Sequence, residues 1–424
     1  MLTRRHFLGL GGAAAATLAL SSLRPRRARA AAAGTHKNLI LVLAQGGWDV
    51  TYALDPKVGS AKIDVPVGAV QNFGNLDILV DAGRPNVTSF FTKYADRSAV
   101  VRGIMLSSIA HPECVKRMMT GTRSNASPDV AAVVAHELGR DLPIPYLILG
   151  DSAFTGPYAV SAGRVGATNQ VVALADEAQR YKVIGETAAP FSPSAADQAR
   201  IRKYLQARAD RERSVRGAAG YNKKRVDDFS AAMTKADRLI ELRAGLGARG
   251  RTLSLESQSD LAVEAIAGGI ARTVTLNSRL SWDTHDNNTD QAALHNTLYA
   301  GVTRLADTLA ARAGATAGNT MLDETVVVVM SEFSRTPKLN AQLGKDHWPV
   351  TSALVFGGGV NGGKAFGGTS ASLDPVLIDY ATGAPSAGGR NLEAKNFAAG
   401  ILSLCGVDPA AHLPSIEAFD VIAK

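Results

Sequence analysis

A doubly wound α/β fold around a mostly parallel sheet is predicted by three features of the sequence. Apolar runs recur along the chain, amphipathic stretches separate them, and several runs break on glycine or deliver a polar side chain just past their end. The first is "NLILVLAQGGWD" (38–49), apolar throughout until two glycines and Asp49. Such a run suits a strand buried on both faces of a sheet, with functional groups placed beyond its carboxyl end. "AVVRGIML" (99–106), "PYLILG" (145–150), "ETVVVVMSEF" (324–333) and "SALVFGGG" (352–359) repeat the pattern. Between them, residues 129–139, 290–314 and 391–406 carry helical apolar spacing. Strands alternating with helices imply a sheet covered on both sides, with the active region along one rim.

Residues 1–30 combine Arg4-Arg5-x-Phe-Leu, a small-residue apolar stretch and an Ala28-Arg29-Ala30 site, the pattern of a twin-arginine export signal. Gly, Ala, Thr and Ser dilute the apolar stretch, so a retained membrane anchor is the weaker expectation. These thirty residues hold six arginines and no acid, and without them the formal charge of +8 falls to +2. The basic pI is mostly address label and supports no nucleic-acid surface. The expected product is a periplasmic or secreted α/β domain over 36–424. A charged, amphipathic helical insertion is expected at about 194–255. Cys114 and Cys405 match no metal or redox spacing; a disulfide scaffold is excluded, and two buried thiols are favoured over one long-range bridge.

Candidate chemistry lies just past the predicted strands. Asp49 suits a metal ligand or a turn cap equally. In "SWDTHDNN" (281–288), Asp283 and His285 share a face if the segment is extended, so a carboxylate and an imidazole can converge on one cation. Glu332 is placed as ligand or base and Arg335 as a grip for an anionic group, or the two simply form an ion pair. "GKDHWP" (344–349) adds Asp346 and His347, with Asp346 able to orient an imidazole. All three tryptophans adjoin these sites, at 48, 282 and 348, as expected of walls around a cleft. His111, before Pro112 at a helix start, suits a neutral ligand, a base or a cap. His295 reads as a packing or surface residue.

The ordered set "GGWD", "HPE…MMTGTRS", "WDTHDN", "SEFSRTP" and "GKDHWP…VFGGGVNGG" resembles the domain of unknown function 1501 family of exported bacterial proteins. That family is grouped with the alkaline phosphatase and sulfatase superfamily. The resemblance implies an alkaline phosphatase-like sheet with a metal site on its carboxyl rim. It implies Asp49, Asp283, His285, Glu332 and His347 as ligands of one or two divalent cations, zinc or manganese. Phe333 stands where the superfamily has a second histidine, and His111 stands where it has a Ser, Thr or Cys nucleophile. His111 is accordingly expected to serve as nucleophile, base or ligand, and Arg335 to neutralise the substrate. The implied activity is metal-dependent hydrolysis of a phosphate or sulfate ester, on a small molecule or a polymer. The alternative is a non-catalytic exported binding or assembly protein.

Overall fold

The computed structural model describes residues 37–165, 193–215, 217, 219–241 and 254–424. The export signal expected at 1–30 lies outside them. Strand β1 (Asn38–Leu43) is followed by a hairpin of β2 (Ala69–Phe73) and β3 (Leu76–Val80). Then come β4 (Ser98–Met105), β5 (Tyr146–Ile148), β6 (Ala162–Arg164), β7 (Thr273–Asn277) and β8 (Thr325–Met330). The short β9 (Ser334–Arg335) and β10 (His347–Trp348) pair with each other, ahead of β11 (Val350–Gly357) and β12 (Lys364–Gly367). The main sheet runs β12-β4-β11-β8-β1-β7-β5-β6.

Side chains of β1 alternate between two cores, as the two-residue period of a strand requires. Ile40 and Val42 face the core shared with α1 (Pro85–Tyr94), α6 (Leu255–Ala267) and α7 (Gln291–Ala311). Leu39, Leu41 and Leu43 face the one shared with α2 (His111–Thr120), α3 (Val130–Leu138) and α8 (Ala394–Leu404). The fold is thus doubly wound, as expected. Each buried Val, Leu or Ile contributes roughly 1.5–3 kcal/mol, and both faces of the central strands are used.

Two features were not legible in advance. Strand β7, "TVTLN", alternates threonine with apolar residues, yet it is buried throughout and pairs parallel to β1. Strand β11 runs antiparallel to both of its neighbours, β4 and β8, while the other pairings of the main sheet are parallel. Val350, at the start of β11, therefore lies beside Met105, at the end of β4. That reversal brings the segment before β11, containing His347, to the rim where the parallel strands end. Within the expected insertion, α4 (Ala195–Val215) and α5 (Gly220–Glu241) pack on each other. Helix α6, at its boundary, belongs to the core. No helix among the described residues is long and apolar enough to cross a membrane.

Candidate metal centre at the carboxyl edge of the sheet

Four connections meet at this rim, following β4, β7 and β8 and preceding β11. Helix α2 opens on His111, with Pro112 in its first turn where the missing N–H has no intrahelical role. It ends at Gly121 in the left-handed conformation (φ 70°). Asp283 and His285 lie on the loop after β7, Glu332 directly after β8, and His347 on β10.

Three imidazoles are oriented by their Nδ1 atoms. His111 Nδ1 is 2.7 Å from Glu332 Oε1, His285 Nδ1 is 3.0 Å from Asp346 Oδ1, and His347 Nδ1 is 2.8 Å from the carbonyl oxygen of Ile109. Each partner is an acceptor, so each Nδ1 carries a proton, and in the neutral ring Nε2 presents a lone pair. The Nε2 atoms converge on one carboxylate. His285 Nε2 is 2.9 Å from His347 Nε2, and the two are 3.1 and 3.2 Å from Asp283 Oδ1. His111 Nε2 lies 3.4 Å from Asp283 Oδ2, is shielded from solvent and has no hydrogen-bond partner.

In the neutral rings these acceptors face one another, an arrangement satisfied by a proton on an imidazole or by a metal cation between them. Ligand atoms on a common cation at about 2.1 Å sit roughly 3.0–3.4 Å apart in octahedral or tetrahedral geometry, the spacing found here. The ligand atoms of His111, Asp283 and His347 all lie within 4.8 Å of one another. His285 Nε2 neighbours His347 and Asp283 but falls outside that mutual group of three. The residues fit a divalent metal, and the Nδ1 acceptors are the partners that metal-bound histidines ordinarily have.

The hydrogen bond to Glu332 raises the His111 pKa above its usual value, against the opposing effect of burial. Burial by itself would raise the Asp283 carboxyl, but hydrogen bonds from Arg335 and His347 outweigh it and hold Asp283 down at about 2. Phe333 packs against the rings of His111 and His347, with centroids 4.7 and 4.4 Å away. An apolar ring thus fills the place where a second histidine ligand would be expected.

Three of the expected site residues, Asp49, Arg335 and Glu332, have other work. Asp49 is fully buried, and its carboxylate accepts from Lys345 Nζ (2.8 Å), Asn288 Nδ2 (2.9 Å), and the Thr51 amide and hydroxyl (3.0 and 2.6 Å). It caps a short 3₁₀ turn, so the structure does not bring it into the cluster. Arg335 is also fully buried. It donates to the carbonyls of Gly46, Gly47, Trp282 and Lys345 and to Asp283 Oδ1, and has no surface to offer a substrate. Its acidic partner is Asp283, not Glu332. Glu332 accepts from the Gly46 amide, Ser331 and His111, which places it behind the cluster as the orienter of His111.

The glycine pair is required here: Gly47 has φ 80°, and a Cβ on it would lie 2.4 Å from Phe333. The tryptophans do not wall a cleft. Trp48 and Trp282 are completely buried, edge to face at 6.4 Å, and anchor their loops from beneath. Trp348 bonds the Leu373 carbonyl. His295 is a core residue stacked between Trp48 and Tyr52. Both cysteines are free and buried. The residue missed by sequence reasoning is Lys345. Its neighbours in "GKDHWP" drew attention while its own partner lay 296 positions away.

The fold and this cluster define a class: a doubly wound α/β protein with a His/Asp candidate metal centre on the carboxyl edge of its sheet. The chain belongs to the DUF1501 family, described as proteins of unknown function, whose model matches residues 36–418. No curated protein matches the sequence. Similar solved structures include a protein in the alkaline phosphatase superfamily from Vibrio parahaemolyticus (13% identity, 91% of this chain and 70% of that one, TM-score 0.40). Another is the lipoteichoic acid synthase LtaP from Listeria monocytogenes (11% identity, 92% and 77%, TM-score 0.39). A third is the sulfatase PsFucS1 from Pseudoalteromonas sp. (10% identity, 96% and 75%, TM-score 0.36). Similarity at this level does not extend any neighbour's chemistry to this chain.

Proposed function

We propose that the protein is an exported, metal-dependent hydrolase of phosphate or sulfate esters with a single divalent cation, zinc or manganese. Nε2 of His111 and His347 and a carboxylate oxygen of Asp283 would hold it, with His285 beside them as the fourth candidate. The observation that carries this is the common orientation of the three imidazoles, each tied back through Nδ1 and directed through Nε2 at the same carboxylate. A bound cation would supply Lewis acidity toward an ester oxygen and favour deprotonation of water. Glu332, Asp346 and the Ile109 carbonyl fix tautomer and ring direction, and Phe333 dries one side of the cluster.

His111 is assigned as a ligand rather than a nucleophile because Nδ1 is held by Glu332 while Nε2, unpartnered and shielded from solvent, faces Asp283. Among the described residues no Ser, Thr or Cys side chain hydrogen-bonds to the four ligand groups, which favours direct attack by water over a covalent intermediate. The placement outside the cytoplasm rests on the Arg4-Arg5 segment.

Elemental analysis of purified protein beside H347A, together with hydrolysis of aryl phosphates and aryl sulfates, tests the proposal. Stoichiometric metal, absent from H347A, and turnover that disappears with it are expected. Equal metal content in the two proteins would overturn the centre, and a metal-loaded protein inert to both esters would overturn the chemistry.

A further inference from the structure

A cleft of about 310 Å³ lies beside the centre, between the end of β4 (Met105, Leu106, Ser107), the turn after α2 (Gly121, Thr122, Arg123) and the start of α8 (Glu393, Ala394, Lys395), with Arg117 on its wall. Three cations line it against one acid. That acid is already committed: Glu393 caps α8 through its N3 amide and pairs with Lys395 at 2.8 Å. Arg117 is fixed by Glu113 (2.9 Å) and by the carbonyls of Leu106 and Ser107 (2.6 and 3.0 Å). Arg123 is exposed, and its guanidinium has no partner among the described residues.

The cleft is built rather than incidental. Gly121 brings the α2 turn so close to α8 that a Cβ there would lie 3.1 Å from Ala398 Cβ and 3.2 Å from Lys395 Cα. Arg117 follows His111 by six residues on one helix, a separation of roughly 9 Å at 1.5 Å per residue.

We propose that this cleft is an anion-binding subsite, gripping a phosphate, sulfate or carboxylate group on a substrate that also reaches the metal centre. The preferred substrate is then a polymer bearing regularly spaced negative charges. Only that link to a substrate rests on the proposed hydrolase function; anion binding in the cleft does not.

Calorimetric titration of the purified protein with inorganic sulfate and with orthophosphate is the test, run on wild type, H347A and an R123A/K395A double variant, with metal content measured in each. Both altered cationic side chains are at least partly exposed, so folding is preserved. The expected result is saturable binding in wild type and H347A, weakened roughly ten-fold or more in the double variant as charge-assisted hydrogen bonds are lost. Sulfate binding alone would point to sulfated polymers and orthophosphate binding alone to phosphorylated ones; either supports the subsite. Binding that vanishes in H347A but persists in R123A/K395A would assign the anion to the metal centre and overturn the subsite. Binding in none of the proteins would also overturn it, and the metal content of wild type would still report on the centre.

Discussion

Asp49 and Asp283 each follow a tryptophan on a loop beyond a central strand, and they have opposite surroundings. Asp49 is enclosed by donors: an ammonium, an amide side chain, a hydroxyl and a backbone N–H. Asp283 receives one guanidinium, and its remaining neighbours are imidazole nitrogens presenting lone pairs. A carboxylate saturated by donors is structural. A carboxylate among acceptors calls for a cation. The type of the neighbours, not the acid or its distance from a strand, separates scaffold from ligand in this molecule.

The largest effect that sharpens this contrast is on stability. Lys345→Ala leaves the Asp49 carboxylate buried and unpaired, and a loss of about 3–5 kcal/mol is expected in urea unfolding. A loss below about 1 kcal/mol would make Asp49 no more structural than Asp283. On the other side, Asp283→Asn should abolish metal retention in elemental analysis while costing less metal-free stability than Lys345→Ala, because an amide oxygen can still accept from the buried Arg335 guanidinium. The Glu332→Gln variant weakens the hold on His111 without removing a ligand. Metal affinity in chelator competition should fall about 10–100-fold. Unchanged affinity would leave Glu332 a packing residue.

Smaller effects are expected with pH. Asp283 has its folded-state pKa depressed to about 2, so its stabilising contribution is present above the ordinary carboxylate value of 3.8 and is lost as pH falls through about 2. Asp129 behaves in the reverse sense. Burial raises its carboxyl to about 6 although it accepts from the amides of Phe154 and Ala132 and from Tyr146. The stability associated with it is full below 3.8 and is lost as pH rises through about 6. Asp129→Asn should therefore flatten the decline in stability over that window, measured by thermal unfolding; an unaltered slope would show that Asp129 does not titrate there.

Much of the architecture was legible because buried strands advertise themselves. The runs at 39–43 and 326–330 are continuously apolar and 99–105 is so apart from Arg102, as burial on both faces demands. Strand β7 was not legible, since threonine fills alternate positions that the sheet nevertheless buries; Thr273 and Thr275 satisfy their hydroxyls with the Ala131 carbonyl and Tyr146. At the centre, Asp283, His285 and His347 announced themselves by short spacing and by their place after or before a strand. The assignment of Asp49 and Arg335 to the site failed because polar side chains beyond a strand end look alike until their partners are known.

From the sequence alone came the alternation of strands and helices, the rim on which polar residues would gather, and most of the residues gathered there. Local hydrophobic pattern encodes these, since burial acts on each short segment separately. Tertiary structure alone decided that β11 runs backwards and delivers His347, that Lys345 neutralises Asp49, and that three imidazoles turn their lone pairs toward Asp283. Those outcomes depend on which distant groups meet as donor and acceptor, and no local stretch of chain carries that information.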